Sequence, residues 1–183
     1  MKIKIQDILT KFNQRLFGLK GLNFDEKIDG FYYCLAEKSD IFYLLAIERD
    51  VYDGDTPWTY SHFEFEIEKN PNANFLIAAK NDKPIAFIGT RIDFHEDSIH
   101  VTNLAVKKEF QHRGIAKNFL AQVEDLCQKL GINKISLEVK LTNQVAQALY
   151  RSNGFLSEKI LPEYYDDGSD GLWMEKNLLD DEN

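Results

Sequence analysis

The sequence predicts an α/β (α+β) fold with a mixed, mostly antiparallel central sheet of about six to seven strands and helices on both faces. Turn-forming clusters at 81–84 and 95–97 separate short apolar segments, as antiparallel hairpins require. Around Gly114, a strand, a turn, a long helix and a second strand follow one another, and such units pair their strands in parallel. The seven expected strands span 31–36, 75–80, 85–94, 99–106, 134–139, 155–160 and 171–176.

Four helices are predicted between these strands from the helical spacing of their apolar residues. The third is the clearest, because an apolar stripe runs from Ala116 to Leu130 and Gly131 supplies a stop. Asn153-Gly154 ends the fourth helix in the same way. The expected bounds are 41–52, 60–69, 114–130 and 143–152.

At 183 residues the chain suits one well-buried domain, which we place at 31–178. Residues 1–30 precede it as a basic extension that ends in a loop over 23–30, and 179–183 form an acidic tail. Five basic residues and one acidic residue give 1–20 a net charge of +4, so the rest carries −12 of the total of −8. The extension also has apolar residues at helical spacing: Ile5, Ile8, Leu9, Phe12 and Leu16.

Two interpretations of this basic amphipathic extension remain open. It could be an extra helix packed on the domain, or a docking segment for a partner or an anionic surface. The acidic total argues against direct nucleic-acid binding. No apolar run is long enough to span a bilayer, and the first residues lack the unbroken apolar core of a secretory signal, so we expect a cytoplasmic protein. Neither the two cysteines nor the four histidines have metal-ligand spacing, and no metal is expected.

The most informative segment runs from Asn103 to Lys117. It is typical of a strand that ends, a short turn, and a helix that begins at Gly114. Unpaired N–H groups and the positive end of the helix dipole then point to one place, where a phosphate or pyrophosphate is the natural ligand. The alternative is a purely structural turn. The dinucleotide fingerprint Gly-x-Gly-x-x-Gly and a Walker lysine are both missing.

Gln111-His-Arg-Gly-Ile-Ala116 resembles the Gln/Arg-x-x-Gly-x-Gly/Ala signature of the GNAT acetyltransferase superfamily, and the resemblance extends from about Phe31 to Leu178. It implies a GNAT fold and acetyl-CoA as cosubstrate. The main chain of the turn would hold the pyrophosphate, and the end of the preceding strand would pair with the pantetheine arm as an added strand does. The residues that it assigns to acetyl-CoA are Leu104, Ala105, Val106, Gln111, His112, Arg113, Gly114, Ile115, Ala116, Lys117 and Asn143.

A second, longer match begins at Leu137-Glu-Val-Lys and ends at Gly154-Phe155. It resembles GNAT N-terminal acetyltransferases, above all the bacterial ribosomal-protein alanine acetyltransferases. The resemblance makes Glu138 the general base and Tyr150 the general acid. Strand alternation also puts Glu138 on a polar face that opens on a cleft or on solvent. The alternatives are an ordinary exposed glutamate and a tyrosine that packs in the core.

The predicted reaction is direct attack of an amine on the acetyl thioester. Glu138 removes a proton from the amine, and a backbone N–H near the end of the strand stabilises the oxyanion. Tyr150, which is protonated at neutral pH, donates a proton to the departing coenzyme A sulfur. Deprotonating a lysine instead of an α-amine would cost roughly 3 kcal/mol more, which favours an N-terminal substrate. Tyr164-Tyr165 and Pro57-Trp58 resemble acceptor-side segments of the N-terminal enzymes, so Trp58, Tyr164 and Tyr165 are candidate substrate contacts; the alternative is that they are plain hydrophobic anchors.

Departures from the subfamily lie on the acceptor side, where Leu161-Pro-Glu163 and Ser169-Asp-Gly171 replace its usual residues. The leading hypothesis is an N-acetyltransferase for a protein N-terminal α-amine, with alanine of a ribosomal protein as a candidate. Two alternatives remain. The acidic loops at 53–55 and 166–170 suit a polyamine, lysine or other small amine. The third hypothesis is a catalytically silent acyl-CoA-binding module.

Overall fold

Tight turns and one long crossover organise the chain into a single eight-stranded sheet, seen in a computed structural model that describes residues 25–179. The strand order is β1-β2-β3-β4-β5-β6-β8-β7, and every neighbouring pair is antiparallel except β5 and β6. The mixed, mostly antiparallel sheet is therefore confirmed. The strands are β1 Glu26–Ile28, β2 Phe31–Leu35, β3 Ala73–Lys80, β4 Lys83–Asp93, β5 Ser98–Val106, β6 Lys134–Lys140, β7 Leu156–Leu161 and β8 Gly171–Asn177.

The extra strand, β1, lies in the stretch expected to be a loop. It pairs with β2 through a two-residue turn in which Asp29 and Gly30 both have positive φ, at 52° and 84°. Asp-Gly is a strong hairpin signal for this type of turn. The expectation of a loop was wrong for Glu26–Ile28 because these three residues carry no apolar alternation. Asn81 and Asp82, with φ of 50° and 59°, join β3 to β4 by the same kind of turn.

Helices cover both faces of the sheet, as predicted. The alternation of β3 shows this, since Leu76 packs in a core with the third helix, whereas Phe75 and Ile77 pack in a second core with the first two. The helices are α1 Ile41–Val51, α2 Tyr60–Glu68, α3 Ile115–Leu130 and α4 Gln144–Ser152. Short 3₁₀ turns at Lys38–Asp40 and Lys108–Phe110 were not predicted.

A cleft opens where β5 and β6 separate. Their parallel ladder begins at Ser98 and Lys134 and ends where Val101 pairs with Leu137. Beyond that point, the end of β5 remains paired with β4, and β6 remains paired with β8. The β4–β5 pairing shifts its register between Gly89 and Thr90. A parallel pair that parts in this way leaves peptide groups on the facing edges without a ladder partner.

Two predictions fall largely or wholly on residues outside the described part of the chain. They concern the basic amphipathic extension, of which only 25–30 is described, and the acidic tail beyond Leu179. Within 25–179, no helix combines the length and the apolar character needed to cross a bilayer.

Candidate active site

The turn before α3 forms an open helix start. Gly114 is the N-cap residue, with a φ of 80° and no side-chain cap, and His112 before it also has a positive φ, at 60°. The first helical hydrogen bond runs from the Asn118 N–H to the Gly114 carbonyl, so the N–H groups ahead of it have no helical acceptor. No acidic residue lies in the first turn. This geometry provides N–H donors and a positive helix end for an anion.

A cavity of about 480 Å³ lies between this helix start, the end of β5 and α4. Ten of the eleven residues assigned to acetyl-CoA line it, and Phe110, Leu149 and Val145 make its wall apolar. Gln111 is held against the strand, because its side-chain amide donates to the Val106 carbonyl at 3.0 Å. The ten are Leu104, Ala105, Val106, Gln111, His112, Gly114, Ile115, Ala116, Lys117 and Asn143.

Arg113 is the member of that set that lies elsewhere. Its guanidinium donates to the Glu109 carbonyl at 3.0 Å and lies over the Phe110 ring, 5.2 Å from the centroid. Its neighbour Lys117 does line the cavity. Among the lysines and arginines of 25–179, it is therefore Lys117 that brings positive charge to this cavity, and a role for Arg113 in cofactor binding stays a prediction.

A second cavity, of about 510 Å³, adjoins the first and shares Leu104, Asn143, Ala146 and Tyr150 with it. It contains Glu138, so the two catalytic candidates lie around one space. Asn143 belongs to both cavities while it also caps α4, since its side-chain oxygen accepts from the Ala146 N–H at 3.1 Å. We call the first space the cofactor-side cavity and the second the acceptor-side cavity.

Glu138 lies on β6, with its side chain mostly buried, and it is bonded to His100 of β5. The His100 Nε2 is 2.8 Å from a Glu138 carboxylate oxygen, and its Nδ1 is 3.0 Å from the Ser136 hydroxyl. The Trp173 ring stacks on the imidazole with 5.4 Å between centroids and 16° between planes. Burial raises the pKa of Glu138, but hydrogen bonds and charge from His100, helped by Tyr164, outweigh it, so this pKa lies below its usual value. Glu138 is therefore held ionised.

Tyr150 on α4 lies at the junction of the two cavities and is also part of the core. It is 7% exposed, and its ring lies 5.8 Å from that of Phe155. Burial raises its pKa above 10, with further contributions from Tyr52 and Tyr165. The phenol thus stays protonated across the physiological range. Tyr150 therefore packs in the core and also lines both cavities.

The three candidate substrate contacts lie at or near the acceptor-side cavity. Trp58 and Tyr165 line it, and Trp58 packs against the buried Phe63 with 5.2 Å between centroids. Tyr164 is half exposed, lies against Tyr165 in a T-shaped contact at 5.1 Å and hydrogen-bonds Glu138. Burial raises the pKa of Tyr164 to about 12, and Glu138 adds to that effect.

A further carboxylate, Glu48 on α1, lines the same cavity. It is 1% exposed, and one of its oxygens accepts from the Trp58 N–H at 3.1 Å. Burial raises its pKa to about 7; the Trp58 N–H opposes this effect and Asp55 adds to it. Near neutral pH, both the protonated and the ionised form of Glu48 are therefore populated.

Sequence reasoning missed His100 and Glu48 because neither lies in a recognised motif. His100 could have been found from the predicted parallel pairing of its strand with β6, which places it opposite Ser136, two residues before Glu138. The register of that pairing was the missing information. Glu48 had no such signal, since a glutamate in a predicted surface helix is expected to be solvated.

Three comparisons identify relatives of this chain. The profile of the acetyltransferase (GNAT) family matches residues 39–155. A Bacillus subtilis protein named as a candidate ribosomal protein bS18-alanine N-acetyltransferase is 31% identical over 136 residues, which are 74% of this chain and 87% of that protein. An N-alpha-acetyltransferase of Saccharolobus solfataricus is 29% identical over 154 residues, 78% of this chain and 90% of that protein.

Among solved structures, the ribosomal-protein-S18-alanine N-acetyltransferase from Escherichia coli superposes with a TM-score of 0.70 at 27% identity. The match covers 80% of this chain and 92% of that one.

Proposed function

Because the chain belongs to the GNAT acetyltransferase family and is an acetyl-CoA-dependent N-acetyltransferase, we propose that its acceptor is a protein N-terminal α-amine. Alanine at the start of a ribosomal protein is the first candidate, since two of the similar proteins carry that activity in their names. The observation that carries the proposal is the junction at Tyr150, where a cofactor-side cavity meets an acceptor-side cavity that contains an ionised glutamate.

The cofactor-side cavity fits acetyl-CoA by its own chemistry. Oriented N–H groups at the start of α3 and the positive charge of Lys117 suit a pyrophosphate. Within residues 25–179, no strand lies beside β5 beyond Val101 on the edge that faces β6, so an extended amide-containing chain can pair there. The space beside Gly114 is open, since no described residue outside its own local backbone has a heavy atom within 4 Å of where a Cβ would lie.

On the acceptor side, Glu138 takes the proton of the attacking amine, directly or through a water molecule. His100 and Tyr164 keep the carboxylate ionised and oriented for this step. At pH 7.5 roughly a third of α-amines are already neutral, against about one in a thousand lysine side chains, from their reference pKa values. Deprotonating an α-amine therefore requires a weaker base than deprotonating a lysine, which suits a glutamate whose pKa is low.

Tyr150 completes the transfer. The amine nitrogen forms a bond to the acetyl carbon while the carbon–sulfur bond breaks, and the departing thiolate receives a proton from the Tyr150 phenol. Its position at the junction of the two cavities suits that role. Peptide N–H groups at the edge of β5 near Leu104 are candidates to stabilise the oxyanion.

One observation favours a second candidate, a polyamine or lysine acceptor. The acceptor-side cavity has carboxylates at Asp55, Asp166 and Asp167 in addition to Glu48 and Glu138. An anionic rim attracts polycations, although it also suits a basic protein N-terminus.

The deciding experiment offers three acceptors to the protein with acetyl-CoA: an alanine-initiated peptide, spermidine and a lysine peptide with a blocked N-terminus. Intact-mass shifts and thiol release measure turnover. We expect the alanine-initiated peptide to give the highest kcat/KM. Turnover of only spermidine or the lysine peptide would replace the proposed acceptor with the second candidate, and cofactor binding without thiol release would favour the silent module.

A further inference from the structure

Glu48 is a carboxylate in the acceptor-side cavity that the reaction described above does not use. It lies in the last turn of α1, on the wall formed by α1 and the loop that carries Trp58, whereas Glu138 lies on β6. Burial raises the pKa of Tyr52, at the end of the same helix, and the nearby charge of Glu48 raises it further. Glu48 therefore lines the space that an acceptor must occupy.

Nothing cationic among residues 25–179 forms an ion pair with Glu48. Within these residues, the Glu48 carboxylate accepts a hydrogen bond from the Trp58 N–H. The other buried glutamate of these helices differs, since Glu66 on α2 is bonded to the Arg91 guanidinium through both oxygens. Buried carboxylates are normally paired, because burial without a partner is costly. Glu48 is thus a buried acid that faces a cavity and lacks a cation.

The cavity itself has an excess of negative charge. Of the described residues, Lys140 is the one lysine or arginine that lines it, and its ammonium already donates to the Asp167 carboxylate. A cation that enters will meet unneutralised carboxylates, of which Glu48 is the most deeply buried. The cation that the reaction brings into this space is the ammonium form of the acceptor amine.

We propose that the Glu48 carboxylate binds the acceptor ammonium in this cavity and thereby determines which acceptors are admitted. This role rests on the N-acetyltransferase function proposed above and adds a specificity-determining residue to it. Glu48 binds the charged form of the amine, and Glu138 takes the proton before attack. The raised pKa of Glu48 is consistent with a carboxylate whose stabilising cation comes with the substrate.

A purely structural role is the main competing explanation, because the Glu48 bond to the Trp58 N–H fastens the loop to α1. Glu48→Gln separates the two explanations. Its amide oxygen can still accept from Trp58, so the fastening is kept while the negative charge is lost. Glu48→Ala removes both. Glu66→Gln is the matched control, since it neutralises a buried helical glutamate that lines neither cavity.

The test measures binding of two hexapeptides by calorimetry in the presence of coenzyme A. One begins with alanine, and the other begins with a propionyl group, so it is identical except that it lacks the α-amine. We expect the wild type and Glu66→Gln to prefer the alanine peptide by at least about tenfold, and Glu48→Gln to lose that preference to within about twofold. Glu48→Gln should also raise KM for the peptide about tenfold while KM for acetyl-CoA stays within twofold.

Retention of the tenfold preference by Glu48→Gln would overturn the proposal, as would a wild type with no preference for the charged peptide. A defect in Glu48→Ala alone would assign the residue to loop fastening. If the wild type acetylates spermidine or the blocked lysine peptide but not the alanine peptide, the N-terminal specificity fails. The same comparison, made with the reactive amine and its deaminated analogue, then still decides the role of Glu48.

Discussion

The cofactor-side and acceptor-side cavities meet at Tyr150 but are built from different materials. The first relies on main chain at the start of α3 and the edge of β5, both within the contiguous segment 104–117, while α4 forms its opposite wall. The second uses side chains that come from α1, the loop after it, β5, β6, α4 and the loop before β8. A binding site made of main-chain groups survives many side-chain substitutions, whereas a site made of charged side chains changes when any of them is replaced. Changes to acceptor-side groups should therefore alter chemistry and specificity, and most changes on the cofactor side should be mild.

The largest expected effect comes from Glu138→Gln. It removes the charge of the proposed general base while the helix start and the β5 edge remain intact. We expect kcat to fall by about 10²–10⁴-fold, with the dissociation constant for coenzyme A within twofold of wild type. Stopped-flow thiol release and calorimetry measure the two quantities. Equal losses in both would show that the two cavities are not separable.

Tyr150→Phe tests the junction itself. The ring keeps its packing against Phe155, and only the hydroxyl, which we propose as the proton donor to the leaving thiolate, is lost. We expect kcat to fall by about 10²-fold, with thermal stability changed little. Tyr165→Phe is a control on a neighbouring phenol and should cost less than about tenfold. A Tyr150→Phe variant with wild-type kcat would reduce Tyr150 to a core residue.

The third prediction concerns pH and uses His100→Phe, which keeps an aromatic ring against Trp173 but loses the bond to Glu138. Burial would then act on Glu138 with less opposition, so its pKa should rise. The acid limb of the kcat/KM profile, which reports the ionised carboxylate, should move to higher pH. His95→Gln, which alters an exposed histidine, should leave the limb in place. An unmoved limb in His100→Phe would contradict the assignment.

The same pair makes a prediction about stability. In the wild type the folded-state pKa of Glu138 lies below the unfolded value near 4.3, so the group stabilises the fold above that pH. This contribution is lost as pH falls through the folded pKa. In His100→Phe it should be smaller, and the gap in melting temperature between the two proteins should narrow from pH 7 toward pH 3. A gap that stays constant would assign the loss to packing alone.

The smallest expected effect separates two basic residues of the cofactor side. Lys117 lines the cavity, whereas the Arg113 guanidinium lies over Phe110. Lys117→Ala should weaken coenzyme A binding about fivefold, roughly 1 kcal/mol, and the loss should shrink in high salt. Arg113→Ala should change it less than twofold. The reverse order, measured by calorimetry, would show that Arg113 swings into the cavity when the ligand binds.

The sequence was most informative where the structure is local. The helix start at Gly114 and the hairpin at Asn81-Asp82 depend on backbone conformations that their own residues favour, so a short motif was enough to predict them. The missed strand β1 shows the limit, because it depends on pairing with β2 more than on its own three residues. His100 shows it again: its place beside Glu138 follows from the register of two strands more than thirty residues apart.

The sequence by itself determined the type of fold, and it was enough to predict the open turn before α3 and to single out Glu138 and Tyr150 as catalytic candidates, because periodicity, turn residues and motif spacing are written along the chain. Tertiary structure alone decided how the acceptor side is assembled. There α1 and β6 bring Glu48 and Glu138 to one cavity, and β5 places His100 against Glu138. The hydrogen bond and charge of His100 act on the Glu138 carboxylate strongly because the site is mostly buried and screening by water is weak. Such coupling depends on distance in space and on local dielectric, which the order of residues does not specify.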